Sequence, residues 1–254
     1  VHGSGRTDAG VHALAQVVHF DSDAPRSERA WRLGANTYLP SDVSVAWVRE
    51  VPAHFHARYS AGARSYRYVI FNRDSRSALA AGRATWERRP LDAPRMHAAA
   101  QVLLGEHDFC AFRAIECQAK SPVRKIERLA VTRRGDWLAL EITANAFLHH
   151  MVRNIAGLLM SIGHGESAPL RVAAVLATRD RRQNAATAPP EGDDWQVLHQ
   201  EQEIGDAVGV SLGLEASLKL VGGAVLHPPE VEQPDLVTRS GGPNGPGGRN
   251  ELRP

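Results

Sequence analysis

One carboxylate near the start of the chain is set in a loop with glycines on both sides, in Gly5-Arg6-Thr7-Asp8-Ala9-Gly10-Val11. Gly5 and Gly10 reach backbone conformations closed to other residues, and Thr7 and Asp8 can fold their side chains onto nearby amides. A sharp turn presenting Asp8 is therefore the expected local structure. Taken alone, an Asp in such a turn usually shapes the turn and nothing more. The company here is different, because Arg6 stands two residues earlier and Gln16-Val-Val-His-Phe20 follows as an extended apolar run. A carboxylate held this way can attack an electrophile covalently or steer a proton, for which it must be ionised.

A second candidate lies far downstream, in His149-His150-Met151-Val152-Arg153-Asn154. The spacing predicts that this stretch opens a helix running through Ile155, Leu158, Leu159 and Ile162 to Gly163. On that apolar face Arg153 either pairs with an anion or snorkels to water, since an unpaired buried charge costs roughly several kcal/mol. Asp8 is an attractive partner, because a guanidinium within hydrogen-bonding reach favours an ionised carboxylate. Adjacent His149 and His150 invite a metal reading. Neighbours on a helix, however, point about 100° apart, and further ligands at sensible spacing are missing, so no metal site is expected.

The third group is Tyr59-Ser-Ala-Gly-Ala-Arg64-Ser-Tyr66-Arg67-Tyr68-Val-Ile-Phe71. As a strand it puts Tyr66, Tyr68 and Ile70 on one face and Arg67, Val69 and Phe71 on the other. Arg58, Arg64, Arg67, Arg73 and Arg76 are threaded through it. Basic side chains interleaved with aromatics are what looped or single-stranded RNA binds, by phosphate pairing and base stacking. One face of the strand must still serve the core.

The elements that must position these residues follow from the pattern. Val11 to Phe20 reads as a strand, Ser27 to Leu39 as a helix capped by Ser27 and stopped by Pro40, and Val43 to Val48 as a strand. Asp92 caps a helix to Leu104, Gly105 to Arg113 reads as a loop, and Val123 to Thr132 with Trp137 to Asn145 forms a hairpin at Gly135-Asp136. Leu170 to Ala177 adds a short helix. Each half is a mixed α+β unit with antiparallel pairing. The 254 residues, 43% hydrophobic, can bury a large core. Ile155 to Ile162, the richest apolar segment, is too short to span a bilayer. Cys110 and Cys117 form neither a disulfide framework nor a common zinc knuckle and suit a reducing cytoplasm. The net charge of +2 is unevenly spread, with 26 basic and 20 acidic side chains in residues 1–198 against four and eight in 199–254. An arginine-rich body suits phosphate contact.

Gly-Arg-Thr-Asp-Ala-Gly-Val-His resembles the active-site motif of the tRNA pseudouridine synthase A family, a long and specific motif. Phe55-His-Ala-Arg58, Arg64-Ser-Tyr66-Arg67-Tyr68, Asp108-Phe109 with Phe112-Arg113, and Asn145-Ala-Phe-Leu-His149-His150-Met151-Val152-Arg153-Asn154 resemble further family segments in the same order. The resemblance runs from Val1 to about Gly192. It implies a pseudouridine synthase fold, α+β, with two mixed halves and largely antiparallel sheets flanking a central basic RNA-binding cleft. The halves fall at residues 1–57 and 58–192, followed by an atypical, partly disordered tail at 193–254. It also implies isomerisation of uridine to pseudouridine at positions 38, 39 and 40 of the tRNA anticodon stem-loop, by a cytoplasmic homodimer that uses no cofactor and no metal. By resemblance Asp8 is the catalytic nucleophile, with Tyr66 and Arg153 beside it. Arg6 helps displace the target base, and Arg58, Arg64, Arg67 and Tyr66 bind substrate. Whether Asp8 attacks the sugar or the base stays open.

Two departures from the family pattern stand out. Val1 is not a start methionine, and the strand, helix and Tyr-Asp-Gly segment that precede the aspartate motif in the family are missing, which suggests a trimmed chain lacking a sheet neighbour. After Ala188-Pro-Pro-Glu-Gly192 the family's Gly-Leu-x-Leu segment gives way to Asp193-Asp194-Trp195-Gln196 and a Gly/Pro-rich end, as in a frame shift or fused segment. A helix is expected over Gln196 to Leu220, with open sheet edges where the terminal strands are lost. Two other readings remain: an RNA-binding remnant without turnover, and a small-molecule hydrolase using Asp8 with His12 or His19. The hydrolase lacks a Gly-x-Ser-x-Gly elbow.

Overall fold

Alternating apolar residues on both sides of Gly135-Asp136 build a hairpin, and Gly135 turns it with a φ of +56°. The computed structural model describes residues 1–199 and 218–225. In chain order the elements are β1 (His2–Gly3), β2 (His12–Ser22), α1 (Glu28–Tyr38), β3 (Ser44–Val51), β4 (Ala61–Asn72), β5 (Thr85–Glu87), α2 (Ala93–Ala100), β6 (Gly105–Asp108), β7 (Val123–Arg134), β8 (Trp137–Ala144), α3 (Met151–Gly163), α4 (Arg171–Thr178), β9 (Asp193–His199) and β10 (Leu218–Val225). They make one ten-stranded sheet in the order β3-β10-β2-β9-β4-β8-β7-β6, with β1 on β2 and β5 on β4. Pairing is antiparallel except for β2 with β9 and β4 with β5. The α+β class and the antiparallel predominance are those expected.

The helix starts follow the local chemistry. Ser27 Oγ accepts from the Ala30 N–H at 3.2 Å, and Asp92 Oδ1 from the Arg95 N–H at 2.9 Å, each meeting an amide that has no partner within the helix. The main core lies where α2, α3 and α4 cover β4, β7 and β8. Met96 and Leu103, Ile126, Leu138, Leu140 and Ile142, and Ile155, Leu159 and Ile162 are all essentially inaccessible there. Each such side chain stabilises the fold by about 1.5–3 kcal/mol through its burial. At the other end of the sheet α1 packs on β3 without one fully buried residue. A small cluster of Val17, Val51, Phe55 and Ala57, with Trp47 against it, forms the core of that end.

Three local expectations are corrected. Gly105–Asp108 is an edge strand on β7 rather than loop, with His107 opposite Arg124. The third helix begins at Met151, and His150 precedes it in the left-handed conformation at φ 60°. The helix expected over Gln196 to Leu220 is strand at both ends, and residues 200–217 and 226–254 of the tail lie outside the described residues. These two strands also take up positions expected to be left open. β9 lies between β2 and β4, and β10 between β2 and β3, pairing Gly222 with both Val18 and Val48. The backbone groups of β2, β3 and β4 thereby find partners.

Candidate active site

The loop carrying Asp8 is fixed at both ends. Upstream, Ser4 donates from Oγ to Gln16 Oε1 at 2.7 Å, and Gln16 Nε2 donates to the Gly5 carbonyl at 2.9 Å. Downstream, the Val11 N–H donates to the Asp8 carbonyl at 3.1 Å and Gly10 takes φ +85°, which closes a turn that a side chain at position 10 would strain. Neither Ser4 nor Gln16 was singled out in the sequence, where nothing marks a polar side chain on a strand as reaching back to a loop.

The carboxylate meets three side chains from around the start of α3. Arg153 Nη1 donates to Asp8 Oδ2 at 2.8 Å across 145 residues of chain. His149 Nε2 lies 3.2 Å from Oδ1, and His150 Nε2 lies 3.0 Å from Oδ2. Arg153 is itself oriented, because its Nε donates to the Ala188 carbonyl at 2.8 Å while the Ala188 N–H donates to the Arg153 carbonyl at 3.1 Å. That contact needs the 184–188 segment pressed against α3, which Gly157 allows: a Cβ there would fall 2.0 Å from the Ala186 carbonyl oxygen. Buried Asn154 braces the segment by accepting from Thr187 Oγ1 at 2.7 Å and from Arg181 Nη2 at 3.0 Å.

The histidines were set aside in the sequence because successive helical residues diverge. The left-handed turn at His150 removes that premise, bringing the two rings to 4.0 Å between centroids with both Nε2 atoms on one carboxylate. Burial, with lesser contributions from His149 and Arg153, outweighs the pull of Asp8 and lowers the His150 pKa below its ordinary 6.5. His150 therefore faces the carboxylate as a neutral ring at neutral pH. Asp8, His149 and His150 together present ligand atoms within 4.8 Å of one another.

Tyr66 stands on β4 with its ring edge-on to Phe147, 4.8 Å between centroids. Burial pushes its pKa well above the ordinary 10.0, helped by the charges of Asp193 and Asp8, so the phenol stays protonated. Tyr68, two residues on, is fully buried and donates to the Pro189 carbonyl at 2.8 Å, which gives it a structural role in holding the chain next to Ala188.

The remaining sequence candidates divide. Arg6 and Arg58 are exposed, Arg6 in the Asp8 loop and Arg58 with its guanidinium 6.0 Å from the Tyr59 ring centre. Arg64 donates to the carbonyls of Arg58 and Asn145 at 2.8 and 3.0 Å, tying the loops together. Arg67 alternates to the face opposite Tyr66 and pairs with Glu141 Oε1 at 2.8 Å. The structure does not bring Arg67 to Asp8. It also separates the histidines of the hydrolase reading from the carboxylate: His12 Nε2 reaches the Gly82 carbonyl, and buried His19 accepts the Ala57 N–H on Nδ1 at 3.0 Å.

A family model described as tRNA pseudouridine synthase matches residues 1–60 and 99–199. Over 189 residues, 74% of this chain, it is 57% identical to the tRNA pseudouridine synthase A of Methylococcus capsulatus (70% of that protein) and 54% identical to that of Legionella pneumophila strain Corby (72%). Over the same length it is 55% identical to that of Pseudomonas aeruginosa (66% of that protein). A glycine-bounded carboxylate clamped by the arginine of a distant helix thus sits in a chain that belongs to the tRNA pseudouridine synthase family.

Proposed function

We propose that this chain isomerises uridine to pseudouridine at positions 38, 39 and 40 of the tRNA anticodon stem-loop, with Asp8 as the nucleophile. The observation that carries the reading is the 2.8 Å contact between Asp8 Oδ2 and Arg153 Nη1, with Tyr66 close enough for the Asp8 charge to act on its phenol. The reaction breaks the bond between ribose C1′ and uracil N1, turns the base and bonds C1′ to C5; the C5 proton passes to solvent, N1 takes one up, and the bond formed by Asp8 is broken again as the product forms. Asp8 attacks, Arg153 holds the carboxylate in place, and the Tyr66 ring, propped by Phe147, stacks on the uracil. The uridine first leaves its stack, at a cost of about a few kcal/mol, and exposed Arg6 fills the vacated space. Exposed Arg58 meets phosphate.

The enzyme works as a cytoplasmic homodimer without a cofactor. None of the described helices is long and apolar enough to cross a membrane, in keeping with a freely diffusing tRNA substrate. The test is tritium release from tRNA labelled at uracil C5. The chain should liberate label, and Asp8→Asn should lower the rate by at least about a thousandfold while tRNA binding persists. Binding without any release would identify the RNA-binding remnant, and equal release by Asp8→Asn would remove the nucleophile assignment.

A further inference from the structure

The left-handed His150 is, with Arg179, one of two non-glycine residues at positive φ among those described. Such a conformation is strained for a residue with a side chain and persists where its surroundings impose it. Here it has a visible result: without it, His149 and His150 would not face the same carboxylate. Their Nε2 atoms stand 3.2 and 3.0 Å from the two Asp8 oxygens. A tetrahedral zinc ion with bonds of about 2.0–2.1 Å places its ligand atoms roughly 3.3 Å apart, which the 3.2 Å between His149 Nε2 and Oδ1 matches, and the ligand atoms of all three residues lie within 4.8 Å of one another. Two imidazoles and one carboxylate are also a zinc ligand set that leaves a fourth position open.

We propose that Asp8, His149 and His150 form a binding site for a divalent transition metal ion of the zinc class, and that the bound ion occupies the carboxylate and blocks uridine isomerisation. The blocking half rests on the synthase reading above. In the bound state Oδ1 and the two Nε2 atoms face the ion, each ring carrying its proton on Nδ1, while Oδ2 keeps the Arg153 hydrogen bond. A hydrogen bond from a neighbouring cation to a ligating carboxylate commonly fixes its orientation. Access is open, with side-chain exposures of 25% for Asp8, 39% for His149 and 28% for His150. A metal here acts as an inhibitor, because the one group that can attack the substrate becomes a ligand.

Cobalt(II) is the probe, since its visible spectrum distinguishes a four-coordinate site from the aqueous ion. The expected result is one cobalt per chain with an intense visible band, displaced by one equivalent of zinc. Affinity should fall by about a hundredfold or more in both His149→Gln and His150→Gln, and stay unchanged in a Cys110→Ser, Cys117→Ser double variant. Absence of the band in the unaltered chain, or its survival in both histidine variants, overturns the site. Zinc at one equivalent should suppress tritium release and a chelator restore it; undiminished release with the site filled overturns the blocking role. The cobalt spectrum needs no turnover, so a failure of the synthase reading is told apart from a failure of the site.

Discussion

The two ends of the sheet are built to different densities. From β4 to α4, a continuous core of buried side chains locks three helices onto the strands. Around β2, β3 and α1 a cluster of four buried residues does the same work, and α1 buries none fully. The candidate site straddles the two. Asp8 hangs from the thin end, while Arg153, His149, His150 and Tyr66 are held by the dense one. The lesson is a division of labour, in which a rigid cationic clamp waits and a less supported loop brings the carboxylate to it. Its alignment rests on few contacts: the Ser4 and Gln16 bonds, the Gly10 turn and the clamp itself.

Four perturbations test that contrast. Gly157→Ala strikes the dense end where it cannot yield, because the new methyl collides with the Ala186 carbonyl. It should destabilise by about 3 kcal/mol or more, lowering Tm by about 6–12 °C. Because the displaced segment holds Arg153, turnover should also fall by about 10- to 100-fold in the tritium assay. An unchanged Tm would show that the 184–188 segment is not pressed against α3 as described.

Truncation after His199 strikes the thin end by taking β10 from between β2 and β3. A Tm loss of about 10 °C is expected, with faster amide hydrogen exchange in β2 and β3 and little change in β7 and β8. Uniform exchange changes across the sheet would mean that the two ends melt as one unit.

Titration probes the boundary between them. Tyr66 and Tyr68 both have pKa values raised above 10.0, chiefly by burial, so the folded state holds protons that the unfolded chain releases. Their contribution to stability is full below about pH 10 and is lost as pH rises beyond it. Denaturant midpoints should therefore decline above that pH, and less steeply in Tyr66→Phe.

Arg67→Ala should do least. Its ion pair with Glu141 is on the outer face with side-chain exposures of 52% and 32%, and such pairs contribute about 0–1 kcal/mol. Tm and tritium release should both stay near those of the unaltered chain. A large loss of tRNA binding would instead restore Arg67 to the RNA surface that the sequence suggested.

Much of this was legible in advance where local chemistry decides. The Asp8 turn, the Ser27 and Asp92 caps, the Gly135 hairpin and the pairing sought by Arg153 all follow from residue type and spacing. What escaped depends on distant partners or on a backbone choice that periodicity cannot reveal. Tyr66 and Tyr68 share a strand face, and nothing in the sequence says which is sealed against Pro189 and which faces the site. That His149 and His150 face one carboxylate escaped because the helix starts at Met151, two residues later than the spacing predicts. The strands at the two ends of 196–220 escaped because their partners, β2, β3 and β4, lie about 130 to 200 residues away.

β10 also dictates an order of assembly. On the ribosome, β7, β8 and the helices that cover them exist before residue 193 is made, so that part can close while translation continues. The slot between β2 and β3 waits for Leu218 to Val225, which must return to pair with residues 16–22. Loop closure over so long a separation is slow. Asp8, just ahead of β2, therefore settles into place only after a strand made some two hundred residues later has paired beside β2.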